Sequence, residues 1–104
     1  TLLLDGRVLI TGGSNGGGPY TGALATAELF DPLANQGAGS FTPITNMSVA
    51  RMYHTATLLA DGRVLIAGGL DESYEQAGLK TAEIFDPTLN GGSFVPTGSM
   101  FFRR

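Results

Sequence analysis

Residues 54–69 read HTATLLADGRVLIAGG, and residues 1–13 read TLLLDGRVLITGG. In both stretches two apolar runs flank an Asp-Gly pair, and the second run ends in Gly-Gly. Asp-Gly between apolar runs predicts a β-hairpin with a type I′ turn, which needs positive φ at both central residues. The motif residues are the paired positions of the two copies, namely Asp5, Gly6, Gly12 and Gly13 in the first and Asp61, Gly62, Gly68 and Gly69 in the second.

The two stretches belong to a longer internal repeat that covers nearly the whole chain. Residues 26–32 (TAELFDP) recur as residues 81–87 (TAEIFDP), and residues 40–43 (SFTP) recur as residues 93–96 (SFVP). The spacing between the copies shortens only across glycine-rich segments. This is expected when loops of variable length join the elements of a fixed scaffold.

Each copy predicts four antiparallel strands, a to d, ordered from the inside to the outside of a β-propeller blade. In the first copy they are predicted at residues 1–4, 7–11, 26–30 and 40–44. In the second copy they are predicted at residues 53–59, 63–67, 81–85 and 93–96. The chain is therefore predicted to be all-β, with a first blade over residues 1–46, in which strand a is truncated, and a second blade over residues 47–104.

The two units resemble kelch repeats. The resemblance rests on the Gly-Gly pair that closes strand b, on phenylalanine in strands c and d, and on the segment Met47-x-x-x-Arg51-x-x-His54 before strand a. The family usually has tyrosine and tryptophan at the aromatic positions, and this chain has no tryptophan, so it resembles a bacterial variant. The resemblance implies a propeller of about six or seven blades, of which this chain supplies two, and it implies a structural role for His54 near the central channel.

Two blades do not close a ring. Strand b is apolar without alternation, which predicts a strand covered on both faces, so a two-blade piece would expose an apolar face at each end. The chain also begins inside strand a, which favours a fragment. We expect either a segment of a longer propeller or copies that associate head to tail, three copies making six blades.

Composition excludes several classes of protein. The chain has 104 residues, a formal net charge of −3 and no cysteine. A negative net charge argues against nucleic acid as a partner, and the lack of cysteine excludes disulfides and thiolate chemistry. No apolar run reaches the length of a membrane span, and no targeting segment is recognisable. The bacterial-type resemblance implies an extracellular or cell-envelope location.

The b-to-c connections and the d-to-a linkers are predicted to share one side of the propeller, the loop face. Long loops on a rigid scaffold are the usual place for binding. The candidate binding residues there are Tyr20, Asp71, Glu72, Tyr74 and Glu75, next to Pro19 and Gln76. The acidic residues of the second loop are also of the type that binds calcium, although no EF-hand spacing is present. The competing interpretation is a solvated loop.

Arg51 has two interpretations. It is a candidate anion contact at the mouth of the channel, or it forms an ion pair with Glu28 or Glu83. The second is favoured, since a carboxylate inside a strand is costly to bury without a partner.

No catalytic constellation is present. In the galactose-oxidase-like kelch propellers, copper is held by a cysteine-linked tyrosine, a second tyrosine and two histidines. This chain has one histidine and no cysteine, so it cannot form that site alone. No cofactor is predicted. The leading interpretation is a non-catalytic scaffold that binds protein or carbohydrate through its loop face. The alternatives are a propeller segment of a larger secreted galactose-oxidase-like enzyme, whose active site lies outside this chain, and a self-associating two-blade subunit.

Overall fold

The computed structural model describes residues 1–18, 21–72 and 77–104, and their regular structure is almost entirely β. These residues form one antiparallel sheet of three strands and one of four, with spatial order following chain order in both. The strands are β1 (Val8–Thr11), β2 (Ala27–Asp31) and β3 (Ser40–Pro43) in the first sheet, and β4 (Thr55–Leu58), β5 (Val64–Ala67), β6 (Ala82–Asp86) and β7 (Ser93–Pro96) in the second. The predicted all-β fold, a partial propeller of two blade-like units, is confirmed. No helix among the described residues is long and apolar enough to cross a membrane.

The two sheets repeat each other in register as well as in sequence. Ile10 lies opposite Glu28 in the first sheet, and Ile66 lies opposite Glu83 in the second. Directly paired residues project to the same side of a sheet. Each sheet therefore has a front face, which carries the glutamate, and a back face, which carries Leu9 and its counterparts.

The hydrophobic core lies between the back face of the first sheet and the front face of the second. Leu9 and Leu29 come from the first sheet, and Val64, Ile66 and Phe85 come from the second; all five belong to one buried cluster. Val64, Ile66 and Phe85 are completely buried. Burying side chains of this size contributes about 1.5–3 kcal/mol each, so this contact holds the two sheets together.

The other two faces of the sheets are open. On the first sheet Ile10 is 40% exposed and Phe41 is 59% exposed, and on the second sheet Val95 is 46% exposed. The expectation that strand b is covered on both faces is therefore wrong for this chain. In β5, Ile66 is buried but Leu65, which projects to the open back face, is only half-buried, because each sheet packs against a single neighbour.

Strand a differs from its prediction in both units. Residues 1–4 form no strand but a single bridge between Leu2 and Val8. Residues 1–3 provide three further main-chain bonds, from Leu3 N–H to Arg7 O at 2.8 Å, from Leu9 N–H to Thr1 O at 2.8 Å and from Thr1 N to Leu9 O at 2.7 Å. In the second unit the strand begins at Thr55, not at residue 53, because residue 53 has a left-handed backbone.

The Asp-Gly pairs form hairpins, but the predicted turn type is wrong. Leu59 N–H donates to Arg63 O at 2.8 Å, and Gly62 N–H donates to Leu59 O at 3.0 Å. This leaves a loop of three residues in which Gly62 has φ of +91° and Asp61 does not have positive φ. Such a pattern is a type I turn followed by a glycine bulge. Residues 3–7 have the same bonds and glycine conformation.

The first glycine of each Gly-Gly pair is required by a close backbone approach. Gly12 has φ of +62°, and a Cβ at this position would collide with the carbonyl oxygen of Arg51. Gly68 has φ of +68°, and its Cβ would lie 2.6 Å from the carbonyl oxygen of Arg104. The Gly-Gly pairs thus let the d-to-a linker pass against the end of strand b.

Candidate functional site

The predicted loop-face site is only partly within the described residues. Asp71 is half-buried and Glu72 is exposed, just after the second Gly-Gly pair. Tyr20, Tyr74 and Glu75 lie outside the described residues, as do the neighbouring Pro19 and Gln76, so binding through these loops stays a prediction. Within residues 1–18, 21–72 and 77–104, no three or more His, Cys, Asp or Glu side chains are grouped as metal ligands.

Arg51 lies between the two sheets and forms the predicted ion pair instead of a contact for an external anion. Its Nη2 is 3.0 Å from Oε2 of Glu83, and both side chains are fully buried. The partner is the strand-c glutamate of the second sheet, not Glu28 of the first. A guanidinium in this position has no surface for an external anion.

Main-chain groups of the linker complete the coordination of Glu83. Ser48 N–H donates to Oε1 at 2.8 Å, and Val49 N–H donates to Oε2 at 3.3 Å. Together with the guanidinium of Arg51, they surround a buried carboxylate with three donors. A buried charge needs such partners, because the desolvation of a lone carboxylate is very costly.

Arg51 is held by acceptors of the second sheet. Nη1 donates to Gly68 O at 2.9 Å and to Thr81 O at 3.0 Å. Nη2 also donates to Thr81 Oγ1 at 3.2 Å, whereas Nε has no hydrogen-bond partner among the described residues. We call this set of six residues the clasp. Its members are Ser48, Val49, Arg51, Gly68, Thr81 and Glu83.

The clasp joins one sheet to the next at the loop face. The sequence indicated its ion pair, because Arg51 and a strand-c glutamate both recur in the repeat. It gave no sign of the Ser48 and Val49 contacts, since main-chain N–H groups carry no residue-specific signal. The clasp is a structural site rather than a catalytic one.

His54 is also held at the junction of the two sheets. Its Nε2 lies 2.9 Å from Thr11 Oγ1 in β1, and its Nδ1 is buried without a partner among the described residues. Burial lowers the pKa of His54 below 6.5, the positive charge of Arg51 lowers it further, and the backbone of Thr11 acts in the opposite direction through a hydrogen bond. The histidine is therefore neutral at pH 7 and links the linker to strand b of the preceding unit.

Tyr53 is a feature that the sequence did not predict. Its φ is +58°, and its side chain is 75% exposed on the loop face. The bridge between Met52 and Leu70 precedes it, and His54 follows it. A left-handed tyrosine is strained and persists only where the surroundings fix it, which is common at binding sites.

A groove on the opposite side of the sheets runs between the two hairpin turns. It is lined mainly by apolar groups of Leu3, Leu4 and Pro87 and is flanked by Asp5 and Asp61. Each aspartate is paired with the arginine two residues on, and the backbone N–H of that arginine is the main cause of its lowered pKa. These groups stabilise the turns and bring no catalytic pair together.

Comparison with known proteins finds similarity to two oxidases. No protein-family model matches the chain. An aldehyde oxidase named GLOX from Vitis pseudoreticulata is 47% identical over an alignment of 72 residues that covers 64% of this chain and 14% of that protein. A novel fungal alcohol oxidase of the AA5 family, solved in complex with copper, superposes with a TM-score of 0.74 at 26% identity, over 95% of this chain and 21% of that one.

The chain is related to the galactose- and aldehyde-oxidase-like proteins. It spans only about one-seventh of the length of the aldehyde oxidase and about one-fifth of the fungal alcohol oxidase. The described residues do not by themselves fit the copper that the fungal enzyme contains. The chain has one histidine and no cysteine, and Nε2 of that histidine is bonded to Thr11.

Proposed function

We propose that this chain is a propeller segment of a larger galactose-oxidase-like enzyme that oxidises alcohols or aldehydes. One observation carries the proposal. The chain aligns over 95% of its own length with a copper-containing alcohol oxidase, of which it makes up 21%. The active site of such an enzyme would use residues outside this chain. This replaces the non-catalytic scaffold as the leading interpretation.

The role of this chain in that enzyme would be to form two kelch-type blades, over residues 1–46 and 47–104, and to hold them at a fixed angle. The buried clasp and the apolar core supply the rigidity that a preorganised active site needs. The remaining blades of the propeller are its immediate partners. An extracellular or cell-envelope location fits the relationship to oxidases of this type.

Tyr53 is the residue through which this chain would contribute to a substrate-binding surface. It is exposed, aromatic and held in a strained backbone beside His54, and it lies on the same side as Asp71 and Glu72. An exposed aromatic ring on the loop face would pack against an apolar or sugar-like substrate at a low cost in side-chain entropy, because tyrosine has only two χ angles.

The test is an oxidase assay on the full-length protein loaded with copper. Oxygen consumption should depend on copper and on an alcohol or aldehyde substrate. Tyr53→Ala should reduce kcat/KM at least several-fold. The matched control, Leu33→Ala, removes an exposed apolar side chain from the connection between β2 and β3, on the side opposite the loop face, and should leave kcat/KM unchanged.

Two results would count against the proposal. A copper-loaded, folded full-length protein that consumes no oxygen with any alcohol or aldehyde would exclude the oxidase. Specific binding of a protein or carbohydrate to such an inactive protein, lost on changing Asp71 or Glu72, would restore the non-catalytic scaffold.

A further inference from the structure

The linker between the two sheets carries a sequence motif that the clasp does not explain. Residues 46–48 read Asn-Met-Ser. This is the acceptor pattern for an N-linked glycan, in which asparagine is followed two residues on by serine or threonine, with no proline between them. A glycan is bulky and polar, so such a motif can carry one in the folded protein only where its asparagine lies on the surface.

The structure presents the polar side chains of this motif to solvent. Residues 44–47 have no regular secondary structure, and they follow directly on the end of β3. Asn46 and Ser48 are exposed, whereas Met47 between them is 4% exposed and belongs to the hydrophobic core. The hydroxyl of Thr45 donates to Gly92 O at 3.1 Å. Asn46 therefore projects from a linker whose neighbouring residues are fixed on both sides.

The surroundings of the motif are complete within this chain. Met47 N–H donates to Ala25 O of the first unit at 2.8 Å, and Ser48 N–H donates to Oε1 of Glu83 in the second sheet at 2.8 Å. The exposure of Asn46 is thus a property of the finished junction between two blades and does not come from an open outer face. An uncharged surface groove adjoins the linker here, lined by residues 42–45 and 90–92.

The other asparagines of the chain have local structural roles. Asn15 Oδ1 accepts from Gly17 N–H at 3.2 Å, and Asn35 Nδ2 donates to Gly39 O at 3.0 Å. Asn90 has φ of +51°, a conformation that asparagine adopts more readily than most residues. Asn46 does not have positive φ, and its side chain makes no hydrogen bond to another residue that the structure describes. No turn or cap explains an asparagine at this position.

The internal repeat also shows that the scaffold does not require the motif. Met47 corresponds to Met100, so the positions of Asn46 and Ser48 are held in the second unit by Ser99 and Phe101. The main-chain bond of the methionine is the same in both units, from Met100 N–H to Lys80 O at 2.8 Å. The linker therefore folds alike with and without the Asn-x-Ser pattern.

We propose that Asn46 is an N-glycosylation site, which rests on the extracellular location proposed above. The co-substrate is an oligosaccharide carried on a lipid pyrophosphate. Nδ2 of Asn46 would attack C1 of the first sugar, so that a C–N bond forms, the bond from C1 to the pyrophosphate oxygen breaks, and the lipid pyrophosphate leaves. The amide proton passes to a base of the transferase, and no atom is oxidised or reduced.

Ser48 separates this role from that of the clasp. Its hydroxyl completes the acceptor pattern and has no hydrogen-bond partner among the described residues, whereas its main-chain N–H serves Glu83. Ser48→Ala removes the hydroxyl and keeps the N–H, so it should abolish glycosylation and leave the clasp intact. Ser48→Thr keeps both and is the matched control. Asn46→Gln removes the acceptor nitrogen from its required position.

The test uses the full-length protein, directed into the secretory pathway of a yeast by a leader of the host. Trypsin should release residues 8–51 as one peptide, which contains Asn15, Asn35 and Asn46. Peptide N-glycosidase in heavy-oxygen water converts a glycosylated asparagine into labelled aspartate, which distinguishes it from asparagine deamidated earlier. Fragmentation of the peptide should place the label at Asn46. Secreted and cell-retained protein are both analysed, so a variant that folds poorly still gives a result.

We expect the label in the wild type and in Ser48→Thr, and its loss in Asn46→Gln and Ser48→Ala. After enzymatic deglycosylation, Ser48→Ala and the wild type should melt at the same temperature. An unlabelled Asn46 in the wild type, or a label that persists in Ser48→Ala, would overturn the proposal. Glycosylation is read independently of oxygen consumption. A labelled protein without oxidase activity would refute only the proposed function, and an active oxidase without the label would refute only the glycosylation site.

Discussion

Nη2 of Arg51 lies 3.0 Å from Oε2 of Glu83, and neither side chain is exposed to solvent. Arg51 belongs to the linker that leaves the first sheet, and Glu83 belongs to the third strand of the second. Both residues lie in the second predicted blade, residues 47–104, but Arg51 comes from the linker at its start. Because Arg51 N–H also donates to Leu24 O of the first unit at 3.0 Å, the pair fastens the linker between the two sheets to the second sheet.

Removing one member of this pair should strongly destabilise the chain. We expect Glu83→Gln to lower the free energy of unfolding by about 3–5 kcal/mol, since it leaves a buried guanidinium without a counter-charge. Urea denaturation followed by circular dichroism measures this. The matched control is Arg63→Gln, which breaks an exposed ion pair with Asp61 and should change stability little.

Replacing both members should not restore stability. A buried ion pair is often replaceable by apolar residues, but this one also serves main-chain groups. In the double variant Arg51→Met with Glu83→Leu, Ser48 N–H and Gly68 O each lose the side-chain partner that they have in the clasp, and Thr81 O retains only Gly68 N–H. We expect the double variant to remain less stable than the wild type. Full recovery would show that the main-chain contacts are dispensable.

Adjacent positions in β5 should respond very differently to the same substitution. Ile66 is fully buried between the sheets, whereas Leu65 faces the open side. We expect Ile66→Asp to unfold the chain, because an unpaired charge would enter the core, and Leu65→Asp to leave it folded with reduced stability. Thermal unfolding of the two variants measures the difference. Equal effects would mean that both faces of β5 are buried in solution.

The sequence predicted the strands because the repeat and the apolar runs are local signals. Two of its errors have physical causes. The turn at Asp61-Gly62 is a three-residue bulged loop, because Leu59 pairs with Arg63 and leaves three residues between them. The Asp-Gly pair alone does not indicate that the loop has a third residue. The burial of Leu65 depends on how many neighbours pack on the sheet, which is a property of the assembly and not of the strand. No local pattern in the sequence indicates that the backbone of Tyr53 is strained.

The first glycine of the Gly-Gly motif should be less replaceable than a glycine in a turn. Gly6→Ala should cost about 1–2 kcal/mol for the left-handed backbone alone, since nothing lies within 4 Å of its Cβ position. Gly12→Ala should cost more, because its Cβ would also displace the carbonyl of Arg51 and lie 2.8 Å from Cε1 of His54. Chemical denaturation of both variants compares the two costs.

His54 should make the stability depend on pH in the mildly acidic range. Its pKa in the folded chain is lowered from 6.5, first by burial and then by Arg51. The unfolded chain therefore takes up a proton more readily, and the free energy of unfolding should fall as pH decreases through about 6.5 toward the folded pKa. Above that range the contribution should be constant. Melting temperatures between pH 8 and pH 5 should show the decline.

The control for this pH dependence is His54→Gln, which keeps a polar group near Thr11 but does not titrate. The decline between pH 7 and the folded pKa of the histidine should disappear in this variant. A remaining loss of stability near pH 4 is expected from Asp5, Asp61 and Asp86, whose pKa values are lowered by hydrogen bonds from neighbouring residues. An identical decline in both proteins would exclude His54 as its source.

Two substitutions of Tyr53 should differ in stability but reduce enzyme activity equally. Glycine adopts φ of +58° without strain, whereas alanine retains most of the left-handed cost, so Tyr53→Gly should be more stable than Tyr53→Ala by about 1 kcal/mol. Both variants lose the exposed ring. In the full-length oxidase proposed above, kcat/KM should therefore fall equally in both, although their melting temperatures differ. If activity instead follows stability and is higher in Tyr53→Gly, the ring takes no part in substrate binding, and the left-handed tyrosine is only a feature of the linker.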